Sequence, residues 1–204
     1  MERTLTTTSH ALLGLLRLRP WTTYELAKQV QKGLGWFWPR AERKLYDEPK
    51  HLVASGLATA TEERTGKRPR TMYAITPAGR KAMRAWLAEP SAPPVLEFEA
   101  MVRVFFADGG TKEALLATLA GVEEQANDMI DQLLAQIDAS QVGEYEFAAR
   151  LHINAIALRF DLDYAALLAR WAVWARDQVE QWPSTTDPGD WDWKPAVKAP
   201  KRTG

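Results

Sequence analysis

The stretch LYDEPKHLVASGLATATEERTGKRPRTMYAITPAGRKAM, residues 45–83, decides the fold. It opens with helical residues and breaks at Gly56, a residue that tolerates the backbone of a helix exit. ATATEER and TMYAIT then alternate as strands do, bracketing RTGKRPR. Gly66 is permissive there and Pro69 cannot donate to a ladder, so the seven residues are expected to form the turn of a hairpin. Thr76 and Pro77 mark a new helix start, and AGRKAMRAWL continues it.

Working outward, two more helices precede this stretch. LTTTSHALLGLLRLR carries leucines too dense for a narrow stripe and is expected to be buried on most sides. Pro20 stops it. Thr22 with Glu25 three residues on predicts a capping box, and Leu26 and Val30 form an apolar i, i+4 pair. WFWPRAERKLYDEPKHLVASGL holds the third helix, with Pro39 suited to its first turn. Pro49 allows two readings: the helix kinks there, or a shorter helix starts near Asp47. Helix, helix, helix, hairpin, helix is a winged helix-turn-helix with a two-stranded wing.

EPSAPPV, residues 89–95, breaks the pattern. Residues 1–90 are expected to be the winged-helix domain and 91–182 an all-helical second domain, so the fold class is mainly α. From Thr111, Leu115, Leu119, Val122, Ala126, Met129 and Leu133 alternate at spacings of four and three, a coiled-coil seam. A last long helix, about residues 145–182, carries Leu158, Leu162 and Trp171. Helices of this length need a partner surface, which Leu115, Leu119, Val122, Met129, Leu133, Leu158, Leu162 and Trp171 are expected to meet. Residues 183–204, proline-rich and unpatterned, read as a flexible tail.

Composition narrows the function. The chain has 204 residues, 46% hydrophobic and 25% charged, and no cysteine, which excludes disulfides and thiolate chemistry. No run reaches the roughly 18 apolar residues of a membrane span and no secretory leader is visible, so no membrane association and a cytoplasmic location are expected. The formal net charge is zero, yet residues 1–89 hold 16 Lys and Arg against 8 Asp and Glu, leaving 10 against 18 for the rest. A basic half joined to an acidic half points to a polyanionic partner for the first. His10, His51 and His152 are scattered without metal-ligand spacing, and no nucleophile constellation or dinucleotide fingerprint is present, so neither a cofactor nor enzymatic activity is expected.

A helix fits the major groove of a duplex and a basic hairpin beside it can grip phosphates. The third helix offers Arg40, Arg43, Lys44, Tyr46, Lys50 and His51. The hairpin adds Arg64, Lys67, Arg68 and Arg70. Taken singly each is a solvated charge; on these two elements together they favour double-stranded DNA.

These segments resemble the PadR family, the phenolic-acid decarboxylase regulators of bacteria. The resemblance rests on ALLGLL, TTYELAKQV, WFWP, LYDEPKHLVASGL, RTGKRPRTMYAIT and TPAGRKAMRAWL. EFEAMVRVFFADGGTKEALLATL and LRFDLDYAALLARWAVW are similar to the long C-terminal domain of the subgroup that includes virulence-gene activators. The match covers roughly residues 5–182. It implies a homodimeric transcription regulator on a palindromic operator, with residues 91–182 as an all-helical dimerisation domain that pairs through those seam residues, and with Tyr24 as a further backbone contact. One departure matters: after Tyr46 come Asp47, Glu48 and then Pro49, where the family commonly has leucine, so base-reading roles do not transfer there. Some members bind flat aromatic effectors, which implies an inducer pocket; Trp36, Trp38, Trp86, Trp171 and Trp174 are the candidates, weighed against plain packing. The alternative is a helical interaction module whose winged half binds protein.

Overall fold

A computed structural model describes residues 4–38, 42–65, 68–141 and 147–198, without the side chains of 42, 43, 64, 65, 68, 69 and 139–141. The chain forms two compact units, residues 1–94 and 95–204.

The first unit begins with α1 (Thr7–Leu16). Its N-cap Thr6 and Ser9 exchange hydrogen bonds, Thr6 N to Ser9 Oγ at 2.9 Å and Ser9 N to Thr6 Oγ1 at 3.3 Å. β1 (Trp21–Thr22) leads into α2 (Thr23–Leu34). The expected capping box is present: Thr22 N donates to Glu25 Oε2 at 2.8 Å, and Glu25 N to Thr22 Oγ1 at 3.2 Å. α3 (Glu42–Ala54) follows, then β2 (Ala58–Thr65), β3 (Arg68–Ile75) and α4 (Pro77–Leu87). The sheet is antiparallel, in the order β1-β3-β2.

Three expectations change here. The sheet has a third strand, β1, two residues too short for any sequence period to reveal. The hairpin turn is shorter than RTGKRPR, because the strands run on to Thr65 and Arg68, and Pro69 stands opposite Arg64 within the ladder. Pro69 lies beyond the reach of β1, which pairs only with Met72 and Tyr73. A proline is tolerated within a strand where its missing N–H faces such a bare edge. Pro49 lies inside one continuous helix, so the shorter helix starting near Asp47 does not occur. Its missing N–H leaves the Leu45 carbonyl without an i+4 donor.

The core of this unit joins Leu12, Leu13 and Leu16 of α1 to Leu26, Ala27 and Val30 of α2, Leu45 and Leu52 of α3, and Trp21 and Tyr73 of the sheet. Each buried leucine is worth about 1.5–3 kcal/mol. Trp21 keeps its polar end satisfied, with Nε1 donating to the Leu15 carbonyl at 2.8 Å. Arg19 lies 3.4 Å over the indole and 3.6 Å from Glu25. Gly56, at φ +69°, ends α3 in a left-handed turn, with Leu57 N donating to the Leu52 carbonyl at 2.9 Å.

The second unit holds α5 (Glu99–Phe105), α6 (Lys112–Gln141) and α7 (Leu151–Glu180). α6 and α7 run antiparallel: Lys112 reaches the carbonyls at 180 and 182, and Arg176 donates to Glu123 at 2.6 Å. The seam on α6 is packed within the chain. Leu115, Leu119, Val122, Ala126 and Leu133 are buried, and Met129 half-buried, facing a line of small residues on α7: Ala165, Ala172, Ala175 and Val179. Large side chains on one helix and small ones on the other allow close approach. Leu115 and Leu119 share a cluster with Ala175, Val179 and the half-buried Trp171, so these pairing candidates are filled by the chain itself. Leu158 and Leu162 are half-buried. Residues 183–198, expected as a flexible tail, fold back instead: Trp191 packs edge-on to Trp182 at 5.3 Å.

Candidate nucleic-acid interface

α3 is two-faced. Leu45, Glu48, Pro49 and Leu52 point into the core, at the i, i+3, i+4, i+7 positions of one stripe. Lys44, Tyr46, Asp47 and Lys50 are exposed. His51 is half-buried on the flank, and its Nε2 is buried without a hydrogen-bond partner among the described residues. Glu48 accepts a short hydrogen bond from Ser9 Oγ, both side chains being buried. The departure from the family pattern at Pro49 therefore falls on the inward face, where no base could meet it. Among the described side chains of α3, only Asp47 puts an acid among the outward groups.

Tyr24, in the first turn of α2, is 64% exposed. On the hairpin Arg70 is not a free cation: its Nη2 is 3.2 Å from Glu63 Oε2 on the paired strand. It also adds to the field on Glu25. The Glu25 carboxyl is held below its ordinary range, first by the Thr22 backbone N–H, against a smaller opposing effect of burial, with the Thr22 hydroxyl, Arg19 and Arg70 adding to the lowering. Arg40 and Lys67 lie outside the described residues, as do the side chains of Arg43, Arg64 and Arg68. The backbone places Arg68 opposite Thr65 at the hairpin end.

Sequence reasoning missed two features. The Ser9–Glu48 contact joins residues 39 apart, with no local signal. Arg17, Arg80 and Arg84 border a cavity of about 200 Å3 with Met83 and Leu87 between α1 and α4, so part of the basic excess sits away from α3 and the hairpin. Trp36 and Trp38 are half-buried just past α2. Trp86 stacks on His10 at 4.7 Å, Trp171 packs in the α6–α7 cluster, and Trp174 is 43% exposed.

A helix-turn-helix followed by a hairpin and a closing helix defines a winged-helix protein. Residues 12–85 match the model described as the transcriptional regulator PadR-like family. In sequence the chain is 29% identical over 99 residues to the negative transcriptional regulator PadR of Bacillus subtilis, covering 48% of this chain and 54% of that one. The matched stretches span about half the length of the curated relatives. In structure it is similar to Bacillus subtilis PadR in complex with operator DNA, with TM-score 0.74 at 19% identity, over 85% of this chain and 99% of that one. The same protein in complex with p-coumaric acid gives 0.67 at 20% identity, covering 84% and 98%. The Vibrio cholerae virulence activator AphA gives 0.66 at 21% identity, covering 85% and 98%. At these identities the likeness shows a shared fold, long C-terminal helices included. Among the described residues no helix is long and apolar enough to cross a membrane.

Proposed function

We propose that this protein is a cytoplasmic DNA-binding transcriptional regulator of the PadR type. It acts by binding and not by catalysis: a homodimeric repressor on a palindromic operator, released by a small aromatic effector. The observation that carries the reading is the split of α3, with Leu45, Glu48, Pro49 and Leu52 anchored inward and Lys44, Tyr46 and Lys50 presented outward on the second helix of a helix-turn-helix. Such a helix lies in the major groove while the wing meets the backbone. The complexes of Bacillus subtilis PadR with operator DNA and with p-coumaric acid support both halves of the proposal.

Pairing moves to another surface. With Leu115, Leu119, Val122 and Leu133 taken up inside the chain, the outward line on α7 remains: Ile153, Phe160 and Leu167 are exposed at seven-residue intervals, with Ile156 beside them. A heptad stripe on an exposed helix face fits a second copy of itself. An effector can shift the operator-bound population only through its differential affinity for the two states.

The test is fluorescence anisotropy on duplex DNA across a salt series. Lys50→Ala and Arg68→Ala are each expected to weaken binding to all duplexes and flatten the salt slope by about one per lost phosphate contact. Tyr46→Ala is expected to reduce discrimination between operator and random duplex. A protein that ignores duplexes at low ionic strength would end the reading.

A further inference from the structure

Of the five tryptophans weighed as effector contacts, Trp174 borders a cavity. It lies within the second unit, about 360 Å3 in volume, between the outer face of α7 and the returning tail. That size is within the range of small-molecule sites, roughly 300–1,000 Å3. α7 contributes Trp174, Gln178 and Gln181, and the tail contributes Asp190, Trp191 and Asp192.

The tail wall is fastened at several points. Lys112 Nζ donates to the carbonyls of Glu180 at 2.8 Å and Trp182 at 2.6 Å, and Thr185 Oγ1 to the Gly110 carbonyl at 3.1 Å. Gly189, at φ +59°, turns the chain, and its N–H is held by Asp187 Oδ1 at 2.9 Å. Trp191 Nε1 donates to Gln178 Oε1 at 3.1 Å, which fixes the indole plane on α7. Asp192 accepts from Lys194 N at 3.0 Å through one oxygen and keeps the other. Asp190 has no hydrogen bond or ion pair among the described residues. Among the described residues no cation borders the cavity.

Two indoles, two carboxylates and two carboxamides around one space suit one kind of charge. Indole faces attract cations, carboxylates repel anions, and the amides can accept an N–H. We propose that this cavity binds a small organic cation, an alkyl- or arylammonium or a flat cationic heterocycle, with its charge toward Asp190 and Asp192 and its apolar body against Trp174 and Trp191.

The test needs no DNA, so its outcome is independent of the regulatory reading. Benzyltrimethylammonium is titrated into the full chain, followed by tryptophan fluorescence and calorimetry, with 3-phenylpropionate and magnesium chloride at matched ionic strength. The expected result is saturable binding of the ammonium, at least about tenfold tighter than the carboxylate and not displaced by magnesium. Asp190→Asn with Asp192→Asn, and separately Trp174→Leu, are expected to lower its affinity about tenfold with an unchanged melting temperature. Equal binding of phenylpropionate, displacement by magnesium, wild-type affinity in the Asp variants, or no saturable binding would each overturn the site.

Discussion

At the scale of single residues, the strictest requirement falls on Gly79. A Cβ there would stand 2.1 Å from the Leu57 carbonyl oxygen, which is backbone and cannot yield. Gly79→Ala is expected to cost about 2–4 kcal/mol in chemical denaturation. The neighbouring Thr76 explains the tightness: its Oγ1 accepts from Gly79 N at 3.1 Å and donates to the Gly56 carbonyl at 2.8 Å, tying the start of α4 to the exit of α3. Glu25 supplies a pH signature. Its folded pKa lies below 4.5, so its contribution to stability is present above pH 4.5 and is lost as pH falls through the folded pKa. Thermal melts of Glu25→Gln against wild type are expected to differ at neutral pH and to converge in acid. Capping pairs such as Thr22 and Glu25 were readable because their partners lie three residues apart. The Ser9–Glu48 bond was not, since only the finished fold brings α1 to α3. Ser9→Ala leaves a buried carboxyl short of a donor and is expected to cost about 1–3 kcal/mol.

At the scale of elements, the α6–α7 hairpin carries the second unit. Leu119→Ala removes a side chain 1% exposed, and a loss of about 2–5 kcal/mol is expected in the unfolding of that unit. Asp161 lies on the same inner line of α7, and burial raises its carboxyl above the ordinary value. An acid with a raised folded pKa burdens the fold above that pKa and is relieved as pH falls toward 3.8. Asp161→Asn is therefore expected to raise the melting temperature at pH 7, with the gain shrinking as the pH is lowered. The heptad on α6 was legible as a period. Which helix answers it was not, because a seam of leucines reads the same whether its partner is in the same chain or another. The alanines at 165, 172 and 175 held the missing information: small residues at seam spacing belong to a close intramolecular pair.

At the scale of the whole molecule, the winged-helix plan was legible because each of its elements has a local signature and their order is specific. The distribution of charge was only half legible. The first half is basic, yet Arg70 is shared with Glu63, and Arg17, Arg80 and Arg84 gather elsewhere. Replacing all three with alanine is expected to leave duplex affinity within about twofold, in contrast to Lys50→Ala, in the same anisotropy assay. Light scattering tests the outer stripe of α7: Phe160→Glu with Leu167→Glu is expected to give monomers that keep their helical circular dichroism, whereas dimers surviving both changes would place the pairing elsewhere.

On the proposed pairing, α7 spends one side on its own hairpin and offers the other to a twin, so that folding and association share a single rod. Dilution alone should then loosen the second unit. The abundance of such a protein in its cell would set not only how many copies meet the chromosome but how firmly each one is built.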